Sequence, residues 1–209
     1  MKRISLLFCL LLSAMQMRAQ TMDSLFVTVP EPELPLLDRN ARLDMLDLYN
    51  YKMTAKGENI FGGTSLMEVK EKDFVRLKLT EVSHWEMMRL AGDSTHYVCI
   101  HTIEQPIRVS RIRCYDSDWK PCAALLPATD SLTLGDFLTD SISVDTVEDV
   151  YRRLGPLHVE AVWKETSGAE PQLVFSASVA HLSEEHRKVA EKCLKPVIYL
   201  WKDGCFQRL

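Results

Sequence analysis

Between Ser65 and Tyr115 apolar and polar residues alternate with period two, and nothing else in the chain constrains its fold as strongly. In Asp73-Phe74-Val75-Arg76-Leu77-Lys78-Leu79-Thr80, Val75, Leu77 and Leu79 face one way and Arg76, Lys78 and Thr80 the other, the grammar of a half-buried strand. The same alternation, less clean, runs through 65–70, 83–90, 95–103 and 107–115. Lys72-Asp73, Gly92-Asp93-Ser94 and Gln105-Pro106 separate these runs with turn chemistry. Gaps this short favour antiparallel neighbours, because a parallel crossover needs about a dozen residues or more. The middle of the chain is therefore expected to be an antiparallel meander of four or five strands.

The flanks carry helices. Leu36, Leu37, Leu43, Met45, Leu46, Leu48, Tyr49 and Met53 recur at helical spacing and predict an amphipathic helix over 38–53, with Gly57 and Asn59 marking its exit. Pro30, Pro32 and Pro35 predict an extended segment over 21–36. Beyond the meander, 133–138 reads as a helical turn and 147–154 as a helix stopped by Gly155-Pro156. Strands follow at 158–165 and 172–180, joined through Ser167-Gly168. Ser183 caps a helix running to about Leu194, and 197–201 makes a final strand before the Lys202-Asp203-Gly204 turn. The expected class is α+β: one large, meander-rich antiparallel sheet with helices packed on one face.

The N-terminus has Lys2 and Arg3, an apolar run from Ile4 to Leu12 and small or polar residues up to Ala19, the three-part pattern of a secretory signal peptide over 1–20 with cleavage after Ala19 or Gln20. Phe8 before Cys9 does not suit lipidation, which wants a small residue there. Residues 21–209 are then expected to form a single α+β domain located in the periplasm or outside the cell. Losing residues 1–20 removes three bases and no acid, taking the formal charge from −4 to −7. Such an acidic chain is poorly suited to nucleic acid. No later segment has the roughly 18 consecutive apolar residues of a transmembrane helix.

The helix start Asn40-Ala41-Arg42-Leu43-Asp44-Met45, the stretch 62–90 and the segment Tyr115-Asp116-Ser117-Asp118-Trp119 together resemble an uncharacterised family of exported Bacteroidales-type proteins, a domain of unknown function of about 200 residues, an ordinary domain length. The resemblance covers most of the chain after residue 20 and implies export and one domain. It brings no activity, cofactor or catalytic residue with it.

Candidate chemistry is sparse. His181-Leu182-Ser183-Glu184-Glu185-His186 is like an inverted zinc-peptidase motif with one residue too many; five apart, two ligands sit about 140° apart around a helix axis rather than about 40°. Cys99 and His101 share a strand face but lack a second ligand pair, and Cys99 reads as core. Gly-x-Ser-x-Gly, SxxK and phosphate-binding glycine patterns are missing from the sequence, so no cofactor or catalytic residue is expected. Acids crowd near Asp44 and again from Asp130 to Asp149 without a calcium-loop pattern, and no metal site is expected.

One stretch stands apart: Ser110-Arg111-Ile112-Arg113-Cys114-Tyr115-Asp116-Ser117-Asp118-Trp119-Lys120-Pro121-Cys122. It reads as a strand end followed by a polar turn, with Trp119, Asp116 and Asp118 as the candidate binding residues. Cys114 and Cys122 enclose a loop that a disulfide closes if the chain doubles back; with five cysteines after residue 20, at least one thiol is left without an intrachain partner. The leading expectation is a non-enzymatic binding or assembly module whose partner is another envelope protein or an extracellular polymer. The alternative is a hydrolase-like enzyme whose site gathers His84, His101, His158 and the Asp116/Asp118 pair.

Overall fold

The structure, a computed structural model, describes residues 21–139, 144–164 and 170–209, without the side chains of 130 and 144–147; the signal-peptide reading of 1–20 and the Ser167-Gly168 turn lie outside the described residues. Six strands form the expected meander in sequence order: β1 (Lys56–Glu58), β2 (Thr64–Lys70), β3 (Phe74–Thr80), β4 (Ser83–Leu90), β5 (His96–Ile103) and β6 (Val109–Asp116), every neighbour antiparallel. The mixed α+β class holds. The last strands, however, make a second sheet of their own, ordered β10-β9-β8-β7, from β7 (Val159–Lys164), β8 (Gln172–Ala177), β9 (Val197–Lys202) and β10 (Cys205–Arg208).

Both faces of the six-stranded sheet are buried over β3 to β5. Val75, Leu77, Leu79, Trp85, Met87, Tyr97 and Cys99 pack on one face against two helices, α1 (Met22–Thr28) and α2 (Arg39–Asn50). Phe74, Met88, Leu90, Val98 and Ile100 pack on the other against the second sheet, with Trp163, Phe175 and Trp201 opposite them. This is why Tyr97-Val98-Cys99-Ile100 is apolar without interruption: a strand covered on both faces has no solvent side to make polar. The short α3 (Leu134–Phe137) together with α4 (Val144–Leu154) and α5 (Glu184–Cys193) contributes to a smaller cluster of Leu134, Val150, Leu154 and Cys193.

The N-terminal segment corrects the expectation of an extended chain. Met22, Leu25, Phe26 and Val29 follow helical spacing, Thr21 Oγ1 accepts the Ser24 N–H, and α1 forms before the first proline is reached. The prolines then shape turns, with the N–H groups of Glu33 and Leu34 both donating to the Pro30 carbonyl. Arg42, only 2% exposed, donates from α2 to the Phe26 and Val29 carbonyls and so satisfies the end of α1. Asp38 caps α2 by accepting the Ala41 N–H at 2.8 Å. Gly57 belongs to β1; a Cβ there would lie 2.7 Å from Met45 Sδ, so β1 approaches α2 where glycine permits it.

Candidate functional site

The N-terminal turn 30–33 crosses the helix-side face of the sheet beside β6, and its acid reaches inward. Glu33 is buried, and its carboxylate accepts three hydrogen bonds: from Trp85 Nε1 at 3.1 Å, Arg113 Nη1 at 2.9 Å and Tyr115 Oη at 2.6 Å. Arg113 and Tyr115 alternate on β6 and project to the same face as Trp85 on β4, so strand geometry alone brings the three donors to one point. The hydrogen bond to the carboxylate raises the Arg113 pKa, and burial, then the hydrogen bond to Glu33 and its charge, push the Tyr115 phenol well above its usual range. Burial likewise pushes the Cys99 thiol well up, which makes it a packing residue rather than a nucleophile.

Against this anchor lies a cleft of about 440 Å³. Pro30 and Pro32 form one wall; Ile112, Trp119, Pro121 and Leu126 supply most of the rest, with Glu33, Arg113 and Tyr115 as its polar groups. Trp119 is half-buried, with its ring 4.9 Å from that of Tyr97 and 5.4 Å from that of Tyr115. Its backbone has φ 61°, the left-handed region, which costs a residue with a Cβ on the order of 1–2 kcal/mol. The turn that imposes this is built by Asp116, whose Oδ1 accepts the N–H groups of Asp118 and Lys120 at 2.8 and 2.9 Å. Those backbone donors hold the Asp116 carboxyl below its usual range. Asp118 is exposed and pairs with Lys120. Trp119 thus lines the cleft, Asp116 builds the turn that presents it, and Asp118 stands in solvent.

The chain doubles back after this turn: Tyr115 bridges Pro121, and the Cys122 N–H donates to the Cys114 carbonyl at 2.9 Å. Both cysteines are thiols in the structure, with their sulfurs 2.6 Å apart. Incubation with oxidised glutathione is expected to join them. The two thiols give up two protons and two electrons, and the glutathione disulfide is reduced to two thiols. Intact-mass measurement should show the loss of two hydrogens, with both cysteines becoming inaccessible to alkylation; continued labelling of both would exclude the bond.

Among the described residues, His84, His101, His158 and the Asp116/Asp118 pair are not gathered at one point. His84 lies on β4 with Nδ1 3.1 Å from Glu104, whereas His101, on the neighbouring strand, faces the opposite side of the sheet. His158 stacks edge-on against His181, whose Nε2 is 3.2 Å from the Leu154 carbonyl. Ser183 caps α5 as expected, which leaves His181 before the helix and His186 within it. Among the described residues no group of three or more His, Cys, Asp or Glu side chains is placed to hold a metal ion.

His101 does carry a pH signature. Burial lowers its pKa, Glu33 opposes this, and Arg111 and Arg113 add to it. The unfolded chain therefore takes up the proton first, so this contribution to stability is complete above pH 6.5 and is lost as pH falls through 6.5 toward the lower folded-state value. Urea midpoints measured across that window should fall less steeply for His101→Gln than for the natural chain; identical slopes would dismiss the effect.

Comparison with known proteins assigns residues 14–206 to one family. The family described as "Protein of unknown function (DUF3256)" matches residues 14–206. The chain belongs to this family. The match spans β1 to β9 and the start of β10, with the 30–33 turn and the Trp119 loop. Among solved structures, a domain of an uncharacterized protein from Porphyromonas gingivalis W83 is similar with a TM-score of 0.67 and 23% identity, over 90% of this chain and 97% of that one, which shows a shared fold. No curated protein matches the chain.

Proposed function

We propose that the protein is an exported, non-enzymatic binding module of the cell envelope, and that the Trp119 cleft receives a short apolar segment of a partner protein or polymer. The observation that carries this reading is the pairing of an apolar cleft with a rigid polar anchor. Glu33 is already engaged by Trp85, Arg113 and Tyr115, so the cleft offers shape and aromatic surface rather than an unoccupied base. The left-handed backbone of Trp119 supports it too, since such strain persists where a side chain must be held in a set position. Export rests on the leader-like pattern of residues 1–20.

A photo-crosslinking residue at Ala123, an exposed position on the cleft, provides the test in envelope preparations. A discrete crosslinked product should form, and Trp119→Ala should reduce it about tenfold or more, the usual effect of removing an aromatic anchor. Trp119→Gly, which relieves the backbone strain, should lose the product to the same extent while remaining folded. A product that persists in both variants, or none with the natural Trp119, would count against the cleft. Recovery of the chain from the cytoplasm with residues 1–20 intact would count against export.

A further inference from the structure

A second groove, of about 350 Å³, lies between the end of β8 and α5, away from the residues that line the Trp119 cleft. Ser178 on its wall is 5% exposed, and its Oγ has no hydrogen-bond partner among the described residues. Arg108 also lines it; the guanidinium is held by Glu160 at 3.2 Å, yet its buried Nε is likewise unpartnered. Arg187, half-buried on α5, faces the same groove, and no ion pair engages its guanidinium among the described residues. Lys195 adds a third base, against the two acids Glu160 and Glu191.

The polar capacity left over here is therefore mainly donor capacity: a hydroxyl, a guanidinium N–H and an unpaired guanidinium. A buried donor without an acceptor is costly, and a ligand that supplies acceptors removes that cost. Val179, Leu194 and Pro196 form an apolar wall beside these donors. We infer that the groove is a binding site for a small oxyanion carrying a short aliphatic body, with Arg187 and Ser178 holding the charged head. The Arg187 guanidinium matches two oxygens of a carboxylate or phosphate at once, and the Ser178 hydroxyl supplies a third donor. Glu160 does not repel such a head in full, because Arg108 neutralises it. This site is independent of the Trp119 cleft.

Titration of the isotopically labelled protein with sodium hexanoate, sodium acetate or inorganic phosphate, at matched ionic strength with sodium chloride as control, tests the assignment by amide chemical shifts. Saturable shifts are expected at Val179, Arg187 and Lys195, with hexanoate binding more tightly than acetate because only it reaches the apolar wall. Tighter binding of phosphate than of either carboxylate would assign a phosphate head instead. Arg187→Gln should weaken binding about tenfold or more and Ser178→Ala by a smaller factor, in keeping with loss of a charge-assisted and a neutral hydrogen bond respectively. Shifts that match the chloride control, or an affinity unchanged in Arg187→Gln, overturn the site.

Discussion

Glu33→Ala is expected to lower the free energy of unfolding by about 3 kcal/mol, toward the lower end of what removal of one partner from a buried ion pair costs. The carboxylate is 4% exposed, whereas Arg113 is 32% exposed and regains some hydration once its partner is gone. The Trp85 indole N–H has no such recourse: its ring is fully buried, and among the described residues Glu33 alone accepts from it. Glu33→Gln should cost less, since an amide oxygen in the Oε2 place still accepts from Arg113 and Tyr115 and only the Trp85 N–H is left facing the NH2 group. The combined change of Glu33 and Arg113 to methionine with Tyr115→Phe should recover only part of the loss, because buried polar groups are often matched by apolar ones of similar volume whereas the Trp85 N–H still lacks its acceptor. Urea unfolding with unchanged m-values provides the measurement. Values within about 0.5 kcal/mol of the natural chain for Glu33→Ala, the range of neutral surface substitutions, would remove Glu33 from its anchoring role.

Why sequence patterns disclose the sheet and not this anchor follows from the range of the interactions. Hairpin neighbours such as β3 and β4 are linked by turns of two residues, so alternation and turn chemistry suffice to read them. Glu33 meets its donors across separations of 52, 80 and 82 residues, and nothing local in Pro32-Glu33-Leu34 marks it. Its one trace is on β6, where Arg113 and Tyr115 project away from Cys114 toward the face that carries Trp85, Met87, Tyr97 and Cys99, so that a charge there must meet a counter-group. The helix α1 was legible from Met22, Leu25 and Phe26, but the prolines that follow it argue for extension more loudly than three apolar residues argue for helix. β1 and β10, with three and four residues, are too short to show a period at all. The division into two sheets is written in Tyr97-Val98-Cys99-Ile100, whose unbroken apolarity demands cover on both sides.

The second sheet docks through an edge, and that junction carries the other large expected effect. β7 ends the order β10-β9-β8-β7, so the groups it does not share with β8 would ordinarily be left open. Instead the six-stranded sheet supplies side chains to them: Glu86 Oε2 accepts the Trp163 N–H at 3.0 Å and Ser110 Oγ accepts the Ala161 N–H at 2.9 Å. Glu86 is buried and is oriented in turn by Arg76 Nε at 2.7 Å. Glu86→Leu keeps the volume but leaves the Trp163 donor unsatisfied between the layers, a loss of about 2–3 kcal/mol. Ser110→Ala should cost about 1 kcal/mol by the same reasoning for a half-exposed neutral pair. The two substitutions uncover adjacent donors of one edge, so the double variant should gain an association-prone strand as well as lose stability. Light scattering at increasing concentration, alongside urea unfolding, separates these consequences. A Glu86→Leu protein as stable and as monodisperse as the natural chain would show that the apolar contacts of Trp163, Phe175 and Trp201 hold the layers together without the polar tie.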